Sequence, residues 1–445
     1  MPSTLRPALR REFRARRADR VAAAAVSFSA ARHSFMTTTV RRGMNPYMVL
    51  ALTTLVAFVA SGVRMSYGVF VVPLSDAFTL SRAEAALPLS LSMVVWGVMQ
   101  PFTGAWMDTY GPRRIILASL LTMALGFVAA SIAQSLWLLA IGYALLVGSA
   151  SSGLAVAAFS ILVSRWFGPE KRGRAIGIAL AGIPVGSVLF APLTSAVVYR
   201  ESWQTAFLFL AAVLMLIALP LSFIFLREPP SSTGAPRAAA AGAGSLFSRE
   251  VRWALRTRAY WLLLTAYFGC GSTGWFLYGH LPAIALDMGL SPQQGATGLG
   301  LIGVGGGMGA ILGGWAADRF GRYHTLAGGY LVRALGFFFL VYVVHDVTTF
   351  YLASLVAGLS MFVTITVTQL LIYELFGAAI AGRMIGLTFV LHQVGSTIGP
   401  YLGGSMYDAL GSYTAALLIS GGILLVSAFL GWRLKYAAKG QTSVR

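Results

Sequence analysis

The chain is short of charge, and shortest of negative charge. Only 11% of its 445 residues are Asp, Glu, Lys or Arg, and 14 acidic residues face 33 basic ones. A soluble domain carries about 25% charged residues, because a polar surface must surround its core. So large a deficit excludes an ordinary soluble protein and leaves a surface that faces lipid. Cysteine is nearly absent. Cys270 stands alone, so no intrachain disulfide can form, and it reads as a small apolar packing residue. The five histidines are scattered. No metal-ligand cluster, nucleophile–base arrangement or phosphate-binding loop stands in a convincing context, so neither an enzyme nor a cofactor is expected. The tails and linker read as disordered, so a receptor that signals through a soluble module is not expected either.

What remains is hydrophobic, 57% of the chain. From 115 to 161 there is no charged residue, and the only interruption is the polar patch at 131–135. Each half of that run is close to the ~20 residues a helix needs to cross a bilayer. Lipid cannot satisfy backbone polar groups, and unbroken apolar runs lack the alternation of a barrel strand. The expected fold is an all-α membrane protein. Twelve spans are predicted, near 46–72, 84–107, 114–133, 136–164, 173–199 and 203–226, then 259–286, 295–317, 324–345, 348–374, 384–406 and 412–433. Several exceed the length a bilayer requires, which predicts tilted or bent helices.

Charge asymmetry predicts the orientation. With the N-terminus in the cytoplasm, the inner turns hold Arg113, Arg114, Arg165, Lys171, Arg172, Arg174, Arg319, Arg322 and Arg383. The outer turns hold only Arg82 and Arg200, beside Asp76, Glu84, Glu201, Asp287, Asp346 and Asp408. Both termini are therefore expected inside. The net charge of +19 follows from the same bias and points to phospholipid headgroups, not nucleic acid. A monomer is expected.

Residues 1–44 form a basic tail with ten Arg against Glu12 and Asp19, read as a transit-like segment or as the product of an upstream start codon before Met36 or Met44. The predicted divisions are this tail, a first half at 45–226, a linker at 227–258, a second half at 259–434 and a tail at 435–445. The linker begins EPPSSTGAPRAAAAGAG and ends in a stretch that predicts a short basic helix, with Leu246, Phe247, Trp253 and Leu255 on the membrane surface.

The halves repeat one another at a near-constant offset. Phe167-Gly168, Gly173-Arg174 and Ile176-Gly177 recur as Phe376-Gly377, Gly382-Arg383 and Ile385-Gly386. Gly104, Asp108 and Gly111 recur as Gly314, Asp318 and Gly321, and Tyr67-Gly68 and Asp76 as Tyr278-Gly279 and Asp287. Two pseudo-symmetric six-helix halves around a central pathway are a transporter design.

GAWMDTYGPRR after the second span and GGWAADRFGRY after the eighth resemble the signature loop of the major facilitator superfamily. The resemblance extends over residues 45–435. It implies alternating-access transport and a conformational latch on the cytoplasmic side, made here by Gly104, Asp108, Gly111, Arg113, Gly314, Asp318, Gly321 and Arg322. Gly104 and Gly314 would allow close helix packing, and Gly111 and Gly321 suit a tight turn. Asp108 and Asp318 can accept hydrogen bonds from a helix N-terminus or pair with a loop Arg. Thr109 and Pro112 stand where basic residues are usual. The flow from MSYGVFVVPLSDAF to VVWGVMQPFTG is similar to bacterial monocarboxylate and oxalate:formate carriers. The acidic first-helix signature and the eighth-helix Arg of the monocarboxylate carriers are missing.

Ionisable groups inside spans are costly and mark function by default. Arg64, His280, Arg333 and His392 are of this kind. The resemblance places the first, fourth, seventh and tenth helices around the cavity with the eleventh in support, which ranks Arg64 and His392 highest and lowers Arg333. Arg64 suggests an anionic substrate, since guanidinium matches the two oxygens of a carboxylate. The expected substrate-binding residues are Arg64, Tyr67, Tyr278, Gln369, His392 and Gln393, with Tyr67 facing Tyr278 across the cavity. No Asp or Glu is evident at mid-membrane depth, so His392 and His280 are the candidates for proton coupling. The expected function is transport of a small organic anion such as a monocarboxylate. Efflux of lipophilic compounds is the alternative, and a bacterial inner membrane is the expected location.

Overall fold

The computed structural model describes residues 45–226 and 248–442. The readings of the basic tail, of Leu246 and Phe247 and of most of the linker fall outside the described residues. Among those described there is helix and no strand. Twelve long helices cross the membrane in two halves. The first half is α1 Pro46–Phe78, α2 Arg82–Tyr110, α3 Pro112–Ser131, α4 Leu136–Ser164, α5 Pro169–Arg200 and α6 Trp203–Phe225. The second is α7 Arg258–Asp287, α8 Pro292–Phe320, α9 Arg322–Tyr342, α10 Val347–Phe376, α11 Ala378–Leu410 and α12 Thr414–Thr442.

Ten of the twelve are long and apolar enough to span a membrane by composition alone, and the exceptions are α7 and α11. These two carry Cys270, His280, His392 and Gln393. Their polarity is tolerated because those side chains are buried in protein, away from lipid. The bends expected from excess length are in α1, α4 and α6. A 3-10 turn at Tyr67–Phe70 interrupts α1, while wide π-type turns at Gly142–Val147 and Leu214–Ala218 interrupt α4 and α6.

The sequence repeat is a structural repeat. Ser81 and Glu84 form a reciprocal capping box at the start of α2, and Ser291 and Gln294 form the same box at the start of α8. Gly111 and Gly321 end those helices at φ 83 and 86, a conformation that L side chains rarely adopt. Arg113 then donates to the carbonyl of Phe223 at 2.7 Å, tying α3 to α6. Arg322 pairs with Glu374 at 2.8 Å, tying α9 to α10. Within the linker, a short helix at Arg249–Arg256 buries Val251 and Ala254 and leaves Trp253 half-exposed, in edge contact with Phe376.

The halves meet along three helix pairs, and the meeting is one-sided. Near the membrane face opposite the termini, Asp408 of α11 accepts from the backbone N–H groups of Arg82 and Ala83 at 2.8 and 3.0 Å, capping α2. Beneath it, Gly404 abuts Ala83 and Gly68 of α1 abuts the Tyr278 carbonyl of α7. Gln293 of α8 donates to the Pro192 carbonyl of α5 at 3.3 Å. Contact continues to mid-membrane, where Gly97 meets Gln393 and Gly307 meets Val185. There it stops. Gly104 and Gly314 lie two turns further along the same faces of α2 and α8 and adjoin open space. Gly177 and Gly386, which the antiparallel register sets opposite them, adjoin open space too.

The close packing expected at Gly104 and Gly314 is therefore not made in this conformation, because the halves part on the side that carries the termini. Asp318 is exposed and has no polar partner among the described residues, so the expected cap or ion pair is likewise unmade. The side chain of Asp108 lies outside the described residues. Removing the inter-half cap with Asp408→Ala is expected to cost about 1 kcal/mol of closure. A cysteine placed at Leu89, buried beneath that contact, should then be alkylated about fivefold faster; an unchanged rate would show that the cap does not hold this face shut.

Candidate functional site

Where the closed and the parted regions meet, Arg64 projects from the middle of α1. It is 7% exposed. Its guanidinium carbon lies 4.4 Å from the ring centroid of Trp96 on α2 and 5.2 Å from that of Trp275 on α7. The two indoles stand perpendicular, 6.2 Å apart, and form a corner with one wall from each half. Trp96 is fixed by donating from Nε1 to Gln100 Oε1 at 3.0 Å, one turn along the same helix. The phenols of Tyr143 and Tyr278 lie within electrostatic reach of the cation. Among the described residues no carboxylate pairs with Arg64. Its Nη1 is buried with no hydrogen-bond partner, and so is the Tyr278 hydroxyl.

The aromatic wall continues toward α11. Phe389 packs edge-on to Trp96 at 5.5 Å and lies nearly parallel to His392 at 5.7 Å. Tyr267 covers the imidazole on its other side at 4.5 Å. His392 Nδ1 lies 3.1 Å from Gln393 Oε1. The Ser396 hydroxyl lies 3.3 Å from the same nitrogen, and with the amide oxygen as acceptor Nδ1 is the donor of the Gln393 contact. The His392 Nε2 is buried without a hydrogen-bond partner among the described residues. Gln393 turns its amide toward the sulfur of Met93 in the other half, at 3.8 Å.

The structure thus gathers Arg64, Tyr278, His392 and Gln393 at one level. Other expected members lie elsewhere. The Tyr67 hydroxyl donates to the Ala85 carbonyl at 2.9 Å and its ring packs on Tyr143 at 4.6 Å, so it braces α1 against α2 and does not face Tyr278. Both ring nitrogens of His280 are engaged, with the Tyr413 hydroxyl and the Pro400 carbonyl, each at 2.8 Å. It ties α7 to α11 and α12, and neither nitrogen is free to carry a coupled proton. Gln369 is half-buried on α10, and no contact links it to Arg64 among the described residues.

Trp96, Tyr143, Tyr267, Trp275 and Phe389 were not legible as site residues. The one local signal was Trp96 four residues before Gln100, a spacing that lets the amide clamp the indole. Arg333, ranked low as a cavity residue, is fully buried and reaches inward to α7.

A family model described as Major Facilitator Superfamily matches residues 53–313 and 263–444. The chain is 25% identical over 393 residues to the oxalate:formate antiporter of Oxalobacter formigenes, covering 88% of this chain and 90% of that protein. It is 28% identical over 398 residues to monocarboxylate transporter 11 of Homo sapiens, covering 86% and 82%. The solved structure of a bacterial homolog to the human lysosomal transporter Spinster, inward-facing and unoccupied, superimposes with a TM-score of 0.74 at 16% identity, covering 89% of this chain and 99% of that one.

A guanidinium in this position is costly. It cannot lose its proton, and among the described residues no carboxylate neutralises it, so the indole faces are the main compensation. Exchanging a buried charge for an apolar side chain of similar length often stabilises a protein by about 1–4 kcal/mol. Arg64→Met is therefore expected to raise the thermal unfolding temperature of the empty protein while abolishing any stabilisation by added carboxylates. A lower unfolding temperature would show that Arg64 serves the fold.

Proposed function

The chain belongs to the Major Facilitator Superfamily, and on that premise we propose that it carries a small organic anion, of the monocarboxylate class, across a bacterial inner membrane by alternating access. The observation that carries this reading is Arg64, a permanent cation with a buried, unpartnered N–H. It sits where the halves meet, and its flat fork suits the two oxygens of a carboxylate. In this reading Trp96 and Trp275 clamp the guanidinium so that its free edge faces the substrate, Tyr278 donates a second hydrogen bond, and His392 with Gln393 reads the far end of the molecule. The named activities of the oxalate:formate antiporter and the monocarboxylate transporter agree with an anionic cargo. The missing eighth-helix Arg of those carriers is replaced, in this account, by Arg64 of α1.

The units that move are the halves at 45–226 and 259–434. Closing the parted side would bring Gly104 against Gly386 and Gly314 against Gly177, positions that lack side chains and adjoin open space in this conformation. The basic turns on that side support a cytoplasmic position for it and for both termini. The aromatic lining supports a second reading, efflux of lipophilic compounds, in which the anion contact is dispensable.

The test is uptake into proteoliposomes of labelled formate, oxalate, lactate and an aryl propionate, with and without an inward proton gradient. Saturable uptake of at least one acid is expected. Arg64→Gln should reduce it by about 100-fold, as loss of a buried charged hydrogen bond of about 3 kcal/mol implies. Uptake of none, or full uptake by a correctly inserted Arg64→Gln protein, would overturn the anion reading; export of lipophilic dyes by that variant would favour the second.

A further inference from the structure

Behind His392, inside the second half, lies a second buried cation that the substrate site does not use. Arg333 of α9 is fully buried. Nη1 and Nη2 point at the sulfur of Cys270 on α7 at 3.5 and 3.4 Å. Nη1 also reaches the Cys270 carbonyl at 3.4 Å, and Nη2 is hydrogen-bonded to the Thr364 hydroxyl of α10. That hydroxyl lies 3.5 Å from the same sulfur. The Arg333 Nε has no hydrogen-bond partner among the described residues.

Five helices surround Cys270 without supplying a carboxylate. Arg333 and Tyr330 come from α9, Thr364 from α10, His392 from α11 and Tyr267 from α7 itself, while α12 presents the neutral Ser427 beside Gly269. A guanidinium does not lose its proton in a protein, and an unbalanced charge at this depth is costly. Of the groups within hydrogen-bonding distance of Arg333, only the Cys270 sulfur can become an anion. Its position, with two guanidinium N–H groups turned toward it, is the environment that stabilises a thiolate, while the Thr364 hydroxyl donates its own proton to the Met361 carbonyl at 2.8 Å. The second observation is His392. Its Nδ1 lies 3.1 Å from Gln393 Oε1 and 3.3 Å from the Ser396 hydroxyl, and its Nε2 is buried with no hydrogen-bond partner among the described residues.

We propose that Cys270 is held as a thiolate by Arg333 and that, with His392, it forms the proton-accepting site that couples anion transport to a proton gradient. The inference deepens the transport reading and rests on it for its physiological meaning. The proton inventory closes without an oxidant or reductant. A proton from the opposite compartment forms an N–H bond at His392 Nε2 or an S–H bond at Cys270. On release that bond breaks, its electron pair stays on nitrogen or sulfur, and the proton passes to water in the parted side of the protein. An anion bound at Arg64 favours the protonated state by charge attraction in a low-dielectric interior. Substrate and proton would therefore travel together.

Because the chain has a single cysteine, infrared difference spectroscopy reports on this sulfur alone. The S–H stretch falls in a window free of other protein bands, and a Cys270→Ala protein supplies the blank. At neutral pH the wild-type protein is expected to show no S–H band. The band should appear on acidification and, at neutral pH, in Arg333→Met. An S–H band in the wild-type protein at neutral pH would overturn the proposal, whatever the substrate proves to be. In proteoliposomes, Cys270→Ala should retain carboxylate exchange and lose acceleration by a proton gradient. Undiminished acceleration in Cys270→Ala would overturn the coupling role even if the thiolate were seen.

Discussion

A permanent cation has been taken out of water at the seam between two half-molecules, and much else in the structure answers to that constraint. Arg64 comes from α1, and the indoles that contain it come one from each half. Neither half alone can build the corner. An aromatic face offers a cation about 2 kcal/mol when desolvated, which is less than the cost of removing its water. The remaining deficit is available to an anion that arrives with its own charge and two acceptor oxygens.

The same seam explains why the rest of the protein is rigid where it is. Within each half, glycines let helices pack backbone to backbone. A side chain on Gly186 would strike the Phe58 carbonyl between α5 and α1, and one on Gly399 would strike the Ser272 carbonyl between α11 and α7. Between the halves, contact runs from the Asp408 cap down to Gly97 and Gly307 and ends at the level of Arg64. In this structure the two bodies are closed on the side away from the termini and parted on the other.

The fold was legible in the sequence because lipid imposes simple rules. Charge-free runs of the right length located the spans, and the offset between Gly111 and Gly321 exposed the repeat that their shared positive φ confirms. Arg64 and His392 stood out because ionisable groups are rare at that depth. Tyr67 and His280 stood out for similar reasons, yet their polar atoms satisfy neighbouring helices; sequence spacing does not say which way a helix is turned. The tryptophans of the site were hidden by the opposite difficulty. An aromatic residue in a membrane span is unremarkable until its ring is found under a guanidinium. Cys270 read as filler because its partner, Arg333, lies in another helix at a separation no local pattern reveals.

The central claim is that an anion at Arg64 controls the closure of two rigid halves. The most direct measurement is the distance between spin labels at Thr109 and Gly382, exposed positions on α2 and α11 at the parted side, with the buried Cys270 left in place. Adding a transported carboxylate should increase the population of short distances in the wild-type background and leave Arg64→Gln unmoved. A distance distribution that ignores every carboxylate in the wild-type protein, or one that responds equally without Arg64, would contradict the account.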